Sequence, residues 1–276
     1  MSKVWFVTGS SRGFGRRFVE AALSRGDRVA ATARTITGLD DLVNKYGDAV
    51  LPLPLDVVDK AAVFEAVERA KEHFGRLDVI VNNAGYAQFG AVEELTERAV
   101  RDQFETNVFG AVWVIQAALP YLREQRSGHI IQMSSAAGLV ALPLGGAYHA
   151  SKWALEGLNE ALAGEVAHFG VKVTIIEPGV FATRDGQRPD PLANGHPAEN
   201  DPGYDDVRRL IGATAGKLPA GDPVTAAQAL LKLVDSDHPP LRVLFGSGFY
   251  PMIQHAYAGR LKTWDDWQEL SAEAHG

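Results

Sequence analysis

Apolar positions along the first two thirds of the chain follow two alternating periods. Short runs rich in β-branched and aromatic residues stand at "VWFV" (4–7), "RVAATA" (28–33), "AVLPL" (49–53), "LDVIVN" (77–82), "HIIQMS" (129–134) and "KVTIIEP" (172–178). Between them lie longer stretches with helical spacing at 13–26, 37–47, 60–74, 97–125 and 147–168. In the third of these, Val63, Val67, Ala70 and Phe74 recur every three or four residues, the stripe a helix needs to lie on a sheet. Strand and helix in strict alternation mean βαβ units, and their succession predicts a doubly wound α/β fold with a parallel sheet.

Past Pro178 the texture changes. Half of the chain's 14 prolines fall between Pro178 and Pro223, mixed with Gly, Asp and Asn. This stretch reads as an irregular substrate lid over 184–222. Beyond it "PPLRVLFGSG" restores a short strand at the sheet edge, and "QHAYAGRLKTWDDWQEL" reads as a terminal helix. With 276 residues and no internal repeat, residues 1–276 are expected to form a single domain.

Composition mainly excludes. A formal charge of -7, from 27 basic against 34 acidic side chains, supplies no footprint for nucleic acid. Without cysteine there is no disulfide and no thiolate zinc site, which fits a cytoplasmic location, and the eight histidines show no paired metal spacing. The longest apolar run, "VFGAVWVIQAAL" at 108–119, contains Gln116 and is too short for a bilayer, so no membrane partner is expected. A strand already beginning at residue 3 argues against a signal peptide.

"TGSSRGFG" (8–15) follows the first strand and opens the first helix. Gly9 permits a tight turn, while Gly13 and Gly15 let backbone approach a pyrophosphate at the helix N-terminus, as in a Rossmann fold. Asp56, in "LPLDV", and "NNAG" (82–85) follow the third and fourth strands, at the carboxyl ends where ligands of open sheets bind. Ordinary turn chemistry would also account for them.

A phenol and an ammonium stand four positions apart in "YHASK", so Tyr148 and Lys152 share a helix face. Lowering a tyrosine pKa by roughly three units requires about 4 kcal/mol of differential interaction, which a neighbouring ammonium and an oxidised nicotinamide would supply. Tyr148 would then exchange a proton with a substrate oxygen. From spacing alone, a half-buried tyrosine beside a surface lysine is the commoner arrangement. Ser135 closes the fifth strand, where its hydroxyl would meet a reacting oxygen or merely cap a turn. Asn107 interrupts an apolar helix, a poor position unless its side chain or a local distortion has a use.

Together, in this order, "TGSSRGFG", "NNAG", "SSAAG", "YHASK" and "PGVFAT" resemble the signatures of the classical short-chain dehydrogenase/reductase family, over essentially the whole chain. The resemblance implies a catalytic set of Asn107, Ser135, Tyr148 and Lys152. Tyr148 would be the acid/base, Ser135 would polarise the carbonyl, Lys152 would tune the phenol and meet a ribose, and Asn107 would hold a relay water. Cofactor contacts are implied at Gly9, Ser11, Arg12, Gly13, Phe14, Gly15, Arg34, Val57, Ala84 and Gly85. Asp56 would meet adenine, Asn83 the ribose, and Pro178, Gly179, Val180 and Thr183 the nicotinamide side.

At the end of the second strand, Ala33 stands where an enzyme for NAD carries an acid, and Arg34 follows. With Arg12 it would grip a 2′-phosphate, so NADP(H) is expected over NAD(H). The expected function is metal-free hydride transfer to a ketone or from a secondary alcohol. A nucleotide-sensing regulator of the same fold would leave the tetrad without a use; NAD-dependent alcohol oxidation is the other alternative. Phe89, Leu139, Leu142, Leu144, Gly145, Val180, Phe181 and Tyr204 are candidate walls of a mostly apolar pocket, while Arg184, Arg188, Arg208 and Arg209 would suit an acid group. The helix around 108–119 is apolar on nearly every side, which with the resemblance predicts a homodimer or homotetramer.

Overall fold

In the computed structural model, which describes residues 2–183, 201–215 and 219–275, seven strands pair in parallel: β1 (Val4–Val7), β2 (Arg28–Ala33), β3 (Val50–Pro54), β4 (Val79–Asn82), β5 (Gly128–Met133), β6 (Val171–Pro178) and β7 (Arg242–Phe245). Their order, β3-β2-β1-β4-β5-β6-β7, reverses direction at β1 and β4. That reversal opens a crevice at the carboxyl ends of the strands. Trp5 sits opposite Val29 on one side and Val79 on the other, so β1 is central and its side chains are buried on both faces.

Successive strand residues feed two cores, as a period of two requires. Val4 and Phe6 pack with α3 (Lys60–Phe74), α5 (Gly110–Gln125) and α6 (Gly146–Val166), through Val67, Val114, Leu122 and Leu162. Trp5 and Val7 pack on the other face with α1 (Gly13–Ser24), α2 (Asp40–Tyr46) and α8 (Pro223–Asp235), through Phe18, Leu42 and Leu230. Truncating a fully buried ring such as Phe18 costs about 3–5 kcal/mol.

Some helix starts are capped by side chains. Asp59 accepts from the Ala62 N–H ahead of α3, and Asp222 accepts from Val224 and Thr225 ahead of α8, with Pro223 in the first turn. α1, like α2, α5 and α6, has no side-chain cap bond: its N-cap is Arg12, and no acid lies in its first turn.

The stretch read as one helix over 97–125 is two, α4 (Glu97–Phe104) and α5, joined by a π-helical turn at Glu105–Phe109 that contains Asn107. The segment read as irregular holds, among its described residues, a short 3-10 turn at Pro202–Tyr204 and α7 (Asp205–Ala215), with Asp205 and Asp206 favouring the positive end of the helix dipole. The rest of the expected lid, 184–200 and 216–218, lies outside the described residues. α8 is an element the sequence reading lacks, although Ala226, Ala227, Leu230 and Val234 carry a helical stripe onto α1. The terminal helix is α9 (Tyr250–Asp266), followed by α10 (Gln268–Glu273).

Candidate active site

The crevice is built by lacing β1 to β4. The Thr8 hydroxyl accepts from the Asn83 N–H at 3.0 Å and the Ala84 N–H at 2.9 Å. In return Asn83 Nδ2 donates to the carbonyls of Thr8 (2.8 Å) and Gly9 (3.1 Å). Asn83 therefore fixes the turn; its amide protons are not free for a ribose. Gly9 and Gly13 adopt φ of +69° and +60°, and a Cβ on Gly15 would lie 2.3 Å from the Gly9 oxygen and 2.5 Å from Asn83 Nδ2. Only glycine fits there, and the uncapped N–H groups of α1 make an anion cradle. Ser11 is exposed, whereas the Phe14 ring turns inward onto Phe18 (5.6 Å) and Phe181 (4.9 Å), leaving its backbone to face a ligand.

At the adenosine end, Ala33 is buried and Arg34 is exposed, as is Arg12. Neither guanidinium has a partner among the described residues, in contrast to Arg16. That side chain, which the sequence reading passes over, donates to Gly38 O (2.9 Å) and pairs with Glu20 and Asp41, fastening the turn after Arg34 onto α1. Asp56 is exposed and accepts from the Val58 N–H at 3.3 Å. Val57 instead packs inward on Gly110, where a Cβ would come within 2.7 Å of it.

Ser135, Tyr148 and Lys152 are brought together beside this crevice. Ser135 accepts from the Ala137 N–H (3.1 Å), opening a short turn, and its own proton reaches Pro178 O only at 3.4 Å. Tyr148 lies in the first turn of α6, with the Phe89 ring 6.0 Å away. Lys152 Nζ lies 5.8 Å from the Tyr148 ring centroid and donates to Met133 O at 2.8 Å. Burial drives the Tyr148 phenol above its ordinary pKa, and the Ser135 hydroxyl draws it only partly back. The expected lowering by Lys152 is thus not seen in the protein alone: desolvation of the phenolate dominates, opposed only by Ser135. Burial also pushes Lys152 down to about 8, against the pull of Glu156.

Asn107 is buried, with both amide protons engaged: they go to Tyr86 O (2.9 Å) and Ser151 Oγ (3.1 Å), and its oxygen accepts from the Tyr86 N–H (3.0 Å). Ser151 donates onward to Tyr148 O at 2.7 Å. A relay water at Asn107 would have to donate to Oδ1 or to the main-chain carbonyl. Gln103, one turn earlier, adds a donation to Tyr86 O (2.8 Å) and accepts from the Gln88 N–H (2.9 Å). Gln103, Ser151 and Thr8 are site-building residues missed from sequence; their signal is a polar side chain one turn from, or inside, a chemical motif. Gly85 lies against Asn107, where a Cβ would come within 3.0 Å of Oδ1.

From β6 the chain passes through Pro178, Gly179 and Val180 to Thr183, whose side chain lies 3.4 Å from where a Gly13 Cβ would be. The cofactor-side segment therefore meets the glycine turn. Other expectations need correction. Arg208 is bound to buried Glu94, Asp205 (2.9 Å) and Asp201 O (2.9 Å), and Arg209 to Asp206, so neither awaits an acid group. Arg184 and Arg188 lie outside the described residues. Phe181 belongs to the core beside Phe14, and Leu139 packs on Ile253. Leu144 is buried at φ +66°, its carbonyl accepting from the Gly90 N–H (2.8 Å), while Gly145 lies against the His149 ring and Tyr204 donates to Glu93. A groove of about 660 Å³ runs between α8 and β7, and none of Ser135, Tyr148 or Lys152 lines it.

A model of the short chain dehydrogenase family matches residues 3–189. Oxidoreductase BOA17 of Botryotinia fuckeliana is 41% identical over 280 residues, covering 98% of each chain. A short-chain dehydrogenase from Streptomyces avermitilis has a structure similar at a TM-score of 0.89 and 38% identity, covering 99% of this chain and 98% of that one. An alcohol dehydrogenase from the archaeon Thermococcus sibiricus, complexed with 5-hydroxy-NADP, is similar at a TM-score of 0.73 and 26% identity, over 89% and 96% of the two chains. The chain belongs to the short-chain dehydrogenase/reductase family and is an oxidoreductase.

Proposed function

We propose that this protein is an NADP(H)-dependent carbonyl reductase or secondary-alcohol dehydrogenase that works through Tyr148, Ser135, Lys152 and Asn107. The observation that carries this reading is the convergence of Ser135, Tyr148 and Lys152 beside an uncapped glycine-turn helix. The free N–H groups at the start of α1 suit a pyrophosphate, and Gly15 lets the turn close on itself, since a Cβ there would strike the Gly9 oxygen and Asn83 Nδ2. When bound, the nicotinamide supplies or accepts the hydride.

Ser135 holds its proton loosely enough to donate to a carbonyl oxygen. Tyr148, kept a neutral phenol by burial, delivers the proton that the oxygen takes up during reduction. Lys152 spends one of its three protons on Met133 O and has two for the phenol and a ribose hydroxyl. Asn107 holds the Tyr148 turn of α6 against the loop after β4 through Ser151. Phe89 beside Tyr148, with exposed Leu142 and half-buried Val180, favours a ketone or alcohol of hydrophobic body.

Preference for NADP(H) is supported by Arg12 and Arg34, unpartnered among the described residues, and by the absence of an acid at Ala33. The test mixes the protein with NADPH or NADH and a panel of hydrophobic ketones, following nicotinamide absorbance. NADPH consumption well above that of NADH is expected; equal or better use of NADH would overturn the cofactor assignment, and no consumption of either would remove the activity.

A further inference from the structure

Behind Lys152, on the side away from Tyr148, two glutamates are buried together. Glu156 follows Lys152 by one turn of α6, and Glu177 is the last residue of β6 before Pro178. Their side chains are only 8% and 4% exposed. Both face one guanidinium: Arg242 Nε lies 3.0 Å from Glu156 Oε2 and 3.7 Å from Glu177 Oε1, while its NH2 reaches exposed Glu160 at 2.8 Å. Glu177 Oε1 is buried and meets no donor, and beside Glu156 Oε1 stands only the Ser134 hydroxyl. Two buried carboxylates facing one guanidinium, with an acceptor left over, are the arrangement that one proton held between them resolves.

We propose that Glu156 and Glu177 are positioning residues that share one proton behind Lys152, and that the charge of this pair sets the pH range over which Lys152 remains an ammonium beside Tyr148. The proposal rests on the reading of Tyr148 and Lys152 as the proton-handling pair. Charge balance supports it. With one shared proton, Glu156 and Glu177 carry one negative charge and Glu160 another, matching Lys152 and Arg242; without the proton the group is one negative charge in excess. Also against the pair, among the described residues, are the Ser134 hydroxyl just after β5 and Gly138 of the following turn, neither of which titrates.

The directions agree. Burial, with Glu156 adding to it, raises Glu177 to about 7, and burial raises Glu156 as well. As pH climbs through that value the pair gains a second negative charge, and this favours the ammonium just below the range in which Lys152 would lose it. Removing either carboxylate therefore lowers the pH at which Lys152 deprotonates.

The test follows the Lys152 side-chain nitrogen by NMR across a pH titration, in the unmodified protein and in Glu156→Gln and Glu177→Gln, with the resonance assigned from Lys152→Arg. The unmodified protein is expected to titrate near 8 and both variants roughly one unit lower, the size of a lost neighbouring charge. An infrared carboxylic-acid band should also be present at neutral pH and vanish in Glu177→Gln. The alkaline limb of turnover should follow the NMR shift, which a purely packing role would not produce. Shifted titrations in a protein that turns over nothing would leave the proposal standing and remove the functional reading. Unshifted Lys152 titrations in an active enzyme would overturn the proposal alone, as would absence of the infrared band.

Discussion

In the proposed reading, Ala33 and Arg34 set the cofactor preference at the level of single side chains. One charge-assisted contact to a phosphate is worth roughly 1.5–3 kcal/mol. Arg34→Ala is therefore expected to raise the NADPH Michaelis constant roughly 10–100-fold with little change for NADH. Ala33→Asp is expected to turn the preference toward NADH, by repelling the 2′-phosphate and accepting from the ribose hydroxyl. Steady-state kinetics with both cofactors check each, and an Arg34→Ala enzyme with unchanged NADPH kinetics would place the phosphate elsewhere. Residue types and their order made the convergence of Ser135, Tyr148 and Lys152 beside the Gly9–Gly15 turn legible in the sequence, because those groups stand at fixed spacings in ordered motifs. The direction of the Tyr148 shift was not legible, since burial of the phenolate depends on everything packed around it. Nor were the partners of Asn83 and Asn107: an amide's partners are set by the backbone that the fold brings to it.

Elements were legible wherever one period ran uninterrupted, so the first six strands and α1, α3 and α6 stand within about two residues of their sequence positions. The break between α4 and α5 was not, because a π-helical turn adds a residue without disturbing the apolar pattern on either side. Asn107 was its sole outward sign. α8 follows directly on a proline- and glycine-rich stretch that masks its stripe. At the start of α5, Phe109 of the π-helical turn is 41% exposed and stacks with half-buried Trp113 at 6.1 Å, and Lys60 lies 4.2 Å over Trp113. This leaves part of the helix uncovered by α3, and we expect it to meet a second copy of the chain. Light scattering should therefore report a dimer or tetramer at working concentration, and Phe109→Glu should lower that mass; a monomer in the unmodified protein would contradict this.

For the molecule as a whole, the described residues include no helix long and apolar enough to cross a membrane, and we predict that part of its stability toward acid comes from a buried histidine far from the site. His129, at the amino end of β5, shares a hydrogen bond with Thr174 at 2.9 Å, and burial, with Lys172 and Lys3 nearby, lowers it to about 4. Its folded value is depressed, so its contribution is complete above the ordinary 6.5 and is lost as pH falls toward 4. His129→Gln should flatten that limb of the stability curve by up to about 3 kcal/mol, read from denaturant midpoints at each pH; an unchanged limb would assign acid sensitivity to other groups. The central claim is that Tyr148 carries the proton in a nicotinamide-dependent carbonyl reaction. Its most direct test compares turnover of NADPH and a hydrophobic ketone by the unmodified protein and by Tyr148→Phe, with NADPH binding measured in both. The account predicts turnover lowered by at least roughly 10²–10⁴-fold with binding nearly unchanged; turnover by Tyr148→Phe close to that of the unmodified protein would contradict it.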